Sequence, residues 1–386
     1  MELGRSKPRD AIAAPALAAP LVAALACLQP GVDPVFLSIL TSASGTAPLA
    51  HGWIVGGTQA GAAIGSLAVW RMGPALRHRA IVIAALIALA CSLATTATTL
   101  LTGLLALRFG YGMAMGVVYA RAMATYAASH PNKAYGAVFL TQLLLSTLVS
   151  LTVPELALIA GARVALACFA LVPGLALAAS VVMGRDAGKG HAASAAAEER
   201  HPVPVAGWAL AAATFWFICS TMLVWSFTAA LATGAGIPDR TIGRAVAIGS
   251  VSGALTAIAV MRERLVVPLP VTAVLAGLSL AAPIAMIAPG GDARFVVSVV
   301  LLNIGSTAII IRTSGLATAT SADARFRIFV ACTHSLGLIA GPLLGSAMVW
   351  AMGPQGLGWG VGFALLGGIG SVLLAMRGRE QNKALD

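Results

Sequence analysis

Apolar runs of about 20 residues follow one another almost without interruption along the 386-residue chain. A run of that length matches the hydrocarbon thickness that a helix must cross, so the solvent for most of this chain is lipid. Only 10% of its residues are charged, against about 25% in soluble proteins. The 24 basic and 13 acidic side chains cannot cover a water-facing globule of this size. The 59% hydrophobic content also excludes disorder, which needs low hydrophobicity and high charge. The runs lack the alternation of apolar and polar residues that membrane barrel strands require. The chain therefore reads as an all-α polytopic membrane protein.

Twelve candidate spans follow, at 14–41, 50–70, 80–98, 99–120, 134–155, 163–183, 206–232, 242–261, 268–289, 295–312, 328–351 and 355–376. The first carries Pro30-Gly31 and Pro34, which predict a kink there. Spans 3 and 4 are nearly fused, so the even count rests on the charges. Nineteen of the 24 basic residues fall at the N-terminus, at the C-terminus or after even-numbered spans. Only Arg163, Arg240, Arg244 and Arg294 lie on the other side, and Arg108 falls inside span 4. Loop by loop, this alternation places both termini in the cytoplasm. The net charge of +11 is thus a topology signal, and no nucleic acid partner is expected. The Arg-over-Lys balance with heavy Ala and Gly use suggests a GC-rich bacterial genome, hence the bacterial inner (plasma) membrane.

The polar stretch 185–205 divides the chain into a six-span bundle at 1–184, a cytoplasmic linker and a second six-span bundle at 206–386. The linker reads either as a short surface helix stopped by Pro202 and Pro204 or as a flexible tether. A shift of 191 residues superposes Gly52 on Gly243, Arg71 on Arg262 and Arg121 on Arg312. Three matches at equivalent span ends point to two parallel pseudo-repeats.

Charge inside the hydrocarbon region is expensive and is a functional hypothesis by default. Arg108 lies about nine residues from the outer end of span 4, about 13 Å deep. Such depth defeats snorkelling and demands an anion, either Asp33 or a substrate carboxylate. Asp33 stands between Pro30-Gly31 and Pro34, as a proton carrier or as a cap at the outer interface. When Asp33 is protonated, Arg108 is free for an anionic substrate; when it is ionised, the two pair. Gly337, Gly341-Pro342 and Gly345 in span 11 read chiefly as close helix packing with a bend.

Twelve spans, a central loop and parallel six-span halves resemble the major facilitator superfamily of secondary transporters. Span 4 carries Leu104, Arg108, Gly112 and Ala114, similar to that family's RxxxG motif, with Tyr111 where the family often has Gln. The resemblance implies a central cavity holding Arg108. It also implies a gating loop after span 2, matched here by Arg71, Gly73, Arg77 and Arg79 without the family's acidic partner. By the family's arrangement of spans, Gln59, Gln142, Asn303 and His334 are candidates to line the cavity and bind substrate; a helix-to-helix hydrogen bond is the other reading. Trp216 and Ser220 share a face of span 7, as a cavity wall or as lipid-facing packing.

The expected function is secondary active transport of a small organic solute, an organic or aromatic acid, by proton-coupled symport through alternating access. Export of hydrophobic compounds by drug/proton antiport is the second reading. A membrane-embedded enzyme is a remote third: the six histidines are scattered without HExxH or paired metal spacing. No catalytic residue, metal or cofactor is expected. The five cysteines sit in apolar runs without CxxC pairing. The expected partners are the solute, protons and the lipid bilayer, with the chain acting as a monomer.

Overall fold

The computed structural model describes residues 14–46, 50–73, 76, 78–129, 131–190, 203–237, 239–262, 267–287 and 291–385. Among these residues every regular element is a helix. Lipid offers the backbone no partner, so each segment must satisfy its own N–H and C=O groups. The order is α1 (Ala14–Ala26), α2 (Gln29–Ser44), α3 (His51–Met72), α4 (His78–Ala97), α5 (Leu101–Ser129), α6 (Pro131–Ala160), α7 (Ala162–Cys168) and α8 (Leu171–Gly190). There follow α9 (Val205–Gly234), α10 (Asp239–Met261), α11 (Leu269–Met286), α12 (Asp292–Ala319), α13 (Ala324–Met352) and α14 (Gly356–Leu385). A 3-10 turn at Gly353–Gln355 joins the last two. Nine helical stretches among the described residues are long and apolar enough to cross a membrane; the last, at 324–378, contains α13 and most of α14.

Two expected spans are each split in two. The first breaks at Cys27-Leu28, ahead of Pro30. The kink was expected at Pro30-Gly31 itself. A proline in the first turn of a helix costs no hydrogen bond, so the chain breaks before it and Pro30 opens α2. The run 163–183 breaks in the same way at Phe169-Ala170, just ahead of Pro173. Helix α8 continues to Gly190, and residues 191–202 of the expected linker lie outside the described residues.

Two glycine pairs set the tightest contact in the bundle. On α3, Gly61 and Gly65 face α5; on α5, Gly112 and Gly116 face α3. A Cβ at Gly61 would overlap the Phe109 carbonyl oxygen, and one at Gly112 would overlap that of Thr58. Small residues four apart let two backbones touch, and dispersion then holds the helices together without any hydrophobic drive. We expect Gly116→Val to force the pair apart and cost about 3 kcal/mol or more, as overpacking does. Thermal unfolding in detergent measures this. Gly362→Ala is the control, because no atom lies within 4 Å of the added Cβ. Helices α13 and α9 pack by the same device: a Cβ at Gly341 would meet the Cys219 carbonyl. The span 11 glycines are thus packing residues.

The end of the bundle where α3 leads to α4 and α12 leads to α13 is called here the basic end. There, helices from both halves of the sequence share one apolar cluster: Val69, Ala120, Ala124, Ile328 and Cys332. Trp70 and Phe329 add a ring contact at 5.5 Å. Ser66 Oγ lies 2.9 Å from Ser335 Oγ, and Cys332 Sγ donates to the Ser66 carbonyl at 3.0 Å. The opposite end differs. Phe36, Leu40 and Leu166 cluster within the first half, and Ala232, Ile237 and Phe295 within the second. The halves are thus bound together at the basic end, whereas the apolar clusters at the far end each stay within one half.

Candidate functional site

A cavity of about 160 Å³ lies between the halves. Its wall is built where α1 gives way to α2 and from α3, α5, α6, α9, α10, α12 and α13. Four residues expected at a binding site meet there: Gln59, Gln142, Asn303 and His334 all line it. Gln142 Oε1 accepts from Cys27 Sγ at 3.4 Å, and Asn303 Nδ2 donates to the Val299 carbonyl of its own helix at 2.9 Å.

Arg108 and Asp33 lie just behind this wall. Neither lines the cavity, and Arg108 is only 2% exposed. The α3–α5 glycine contact brings Thr58 close enough for Arg108 Nε to donate to its Oγ1 at 3.3 Å. The guanidinium is held by two rings, its Cζ lying 4.3 Å from the Phe36 centroid and 4.4 Å from that of Tyr111. Such cation–π contacts are strengthened by the absence of water. Its Nη2 has no hydrogen-bond partner. Asp33 accepts from Gln29 Nε2 at 2.6 Å. Gln59 approaches the same carboxylate, though its Nε2 does not reach hydrogen-bond geometry. Asp33 and Arg108 are near enough to feel each other's charge. They form no direct ion pair; Gln29 donates to Asp33 Oδ1 and Thr58 accepts from Arg108 Nε instead. Arg108, expected to bind substrate, is not on the cavity wall, whereas Thr58 and Tyr111, which it touches, are. Asp33 lies eleven residues ahead of the end of α2, about 16 Å at helical rise.

His334 sits among aromatic rings. It stacks on Tyr135 at 5.3 Å and 12°, with Tyr119 at 5.8 Å and Phe139 at 5.9 Å tilted against it. Both its ring nitrogens lack a partner. Trp216 is placed differently from one of its expected readings. It is absent from the wall and packs edge-on against Phe215 and Phe363, at 5.1 and 5.4 Å. Trp225, further along α9, is on the wall instead.

Of the residues expected in a gating loop, Arg71, Gly73 and Arg79 are among the described residues. Arg71 and Arg79 are exposed. Gly73 ends α3 with φ 63° and donates its N–H to the Val69 carbonyl; a Cβ there would lie 3.1 Å from Arg325 Nε of α13. Arg77 lies outside the described residues.

Some wall residues were not singled out by sequence, among them Tyr119, Ser146 and Thr307. The spacing Gly61-x3-Gly65 opposite Gly112-x3-Gly116 was a readable signal for the α3–α5 contact that positions Thr58 and Arg108. No protein-family model matches this sequence, and no curated protein matches it either. Solved structures do. The crystal structure of the human organic anion transporter MFSD10 (TETRAN) superposes with a TM-score of 0.69 and 15% identity, over 96% of this chain and 100% of that one. The proton:xylose symporter XylE, bound to 6-bromo-6-deoxy-D-glucose, gives 0.64 and 12%, over 94% of each chain.

The chain has the major facilitator fold. Within that fold, the cavity between the halves and the buried Asp33–Arg108 neighbourhood make up the candidate site. Its apolar helices make the chain a multi-pass membrane protein.

Proposed function

We propose that this protein is a secondary active transporter that moves a small organic solute by alternating access, coupled to protons. The observation that carries the reading is one cavity walled by helices of both halves, with a buried carboxylate and guanidinium directly behind it. Protonation of Asp33 changes what Arg108 attracts, and the wall residues Gln59 and Tyr111 touch that neighbourhood. The twelve apolar runs act as two six-helix repeats, 1–184 and 206–386, joined by the 185–205 segment. The basic end faces the cytoplasm by the positive-inside rule, in a bacterial inner membrane, and the chain works as a monomer. Gln59, Gln142, Asn303 and His334 contact the solute; Arg71, Gly73, Arg77 and Arg79 form the gating loop.

An organic or aromatic acid is the solute that the sequence favours, and the organic anion transporter among the similar structures is in keeping with it. Proton:xylose symport in the other supports coupling to protons. Drug/proton antiport is the second reading, favoured by the apolar stretch of wall formed by Met115, Met222 and Trp225. The test is reconstitution in vesicles with an imposed proton gradient and a panel of labelled organic acids and cationic drugs. Uphill accumulation identifies uptake by symport, and expulsion identifies export. No movement of any solute under any gradient rejects both.

A further inference from the structure

We propose that the cavity takes its solute in an uncharged form, and that the solute joins a flat apolar face to hydroxyl or amide groups. This rests on the transporter reading for the purpose of the cavity, and it narrows the substrate class. Among the described residues, no Asp, Glu, Lys or Arg lines the wall. The nearest charges stand behind the wall: Asp33 accepts from Gln29, and Arg108 donates through Nε to Thr58 and lies against two rings, while its Nη2, without a partner, is on a residue that does not line the cavity. A charged solute would leave water and meet no countercharge in contact, a cost that pairing normally offsets.

The unpartnered polar atoms on the wall point to the same class. Gln59 Nε2 donates only. Ser146 Oγ does either. The His334 ring, when neutral, carries one donor and one acceptor. All three residues are at least nine-tenths buried. An ammonium only donates and cannot meet the Gln59 N–H, and a carboxylate, which only accepts, leaves the acceptor nitrogen of a neutral His334 unmet. A hydroxyl or amide does both. The flat face follows from the rings of Tyr119, Phe139 and Trp225 on the wall, and about 160 Å³ is close to the size of an apolar cavity that holds one benzene ring. An organic acid fits this cavity only as its protonated, neutral form.

The test is equilibrium binding to the purified full-length chain in detergent, with probes sharing one ring: 4-hydroxybenzamide, 4-hydroxybenzoate and 4-hydroxybenzylamine. The expected result near neutral pH is binding of the amide, with the anion and the cation weaker by about a hundredfold or more. Affinity for the acid rises about tenfold per pH unit on acidification, following its neutral fraction. His334→Phe keeps the ring and loses both nitrogens; it lowers amide affinity about tenfold, and Gln59→Leu does so independently should the first variant fold poorly. Equal or tighter binding of the benzoate or benzylamine near neutral pH overturns the proposal. So does no binding of the amide or its N-methyl and dihydroxy analogues, or unchanged affinity in both variants. Charge-selective binding without vesicle transport rejects the transporter reading alone. Transport of a charged solute without amide binding rejects this proposal alone.

Discussion

Alanine in place of Arg108 abolishes proton-driven accumulation of solute in vesicles, with a loss of about a hundredfold or more. The guanidinium is fully enclosed, and a charge in that position costs several kcal/mol that the fold does not recover by an ion pair. Its removal leaves Asp33 without the cation that influences it among the described residues, and truncating one member of a buried charged neighbourhood costs about 2–5 kcal/mol. Lysine does not rescue it. An ammonium lacks the planar face that lies between Phe36 and Tyr111 at 4.3 and 4.4 Å and cannot also donate sideways to Thr58. Asp33→Asn gives the complementary result: down-gradient exchange of solute survives, while its dependence on the proton gradient disappears. The measurement is accumulation ratio against counterflow in the same vesicles, with thermal unfolding run in parallel to separate coupling from folding. Normal accumulation by the Arg108→Ala protein contradicts the coupling role outright.

A disulfide across the basic end stops transport almost completely. Ser66 on α3 and Ser335 on α13 have their hydroxyl oxygens 2.9 Å apart, and small rotations bring cysteines at these sites to bonding geometry. With Cys332 replaced by alanine to remove the competing thiol, the double variant S66C/S335C is expected to lose nearly all uptake on oxidation and to recover it on reduction. The proposed alternating access requires this end to open, and the bond ties α3 to α13 where Trp70 and Phe329 already meet. Unimpaired transport by the fully oxidised protein excludes separation of the halves at this position.

Much of this architecture was legible in the sequence because lipid imposes a simple rule. Uninterrupted apolar runs had to become helices, and all twelve runs did, two of them as broken pairs. The break in the first run was misplaced by two or three residues because Pro30 reads as an interruption but behaves as a helix opener, and the break in 163–183 was not expected at all. Gln59, Gln142, Asn303 and His334 were legible as polar residues at mid-membrane depth. The direction in which Trp216 points was not. Its helix, α9, is apolar all round, so no periodicity distinguishes the face toward Phe363 from the face that carries Trp225. The screening of Arg108 was likewise hidden, since it depends on Phe36, which comes from a helix 70 residues away whose rotation follows from the break at Cys27-Leu28. The glycine spacing was legible as local close packing, yet its reciprocity between α3 and α5 appears only in three dimensions.

That reciprocity has a mechanical consequence. Two helices whose backbones touch over two turns behave as one rigid part, so Thr58, Gln59, Arg108 and Tyr111 travel together as a fixed cassette. Asp33 and Phe36 ride instead on α2, a short rod severed from α1 and resting on α6 and α7. Whatever alters the surroundings of the guanidinium must therefore act through that rod, which makes α2 the clapper and the α3–α5 pair the bell.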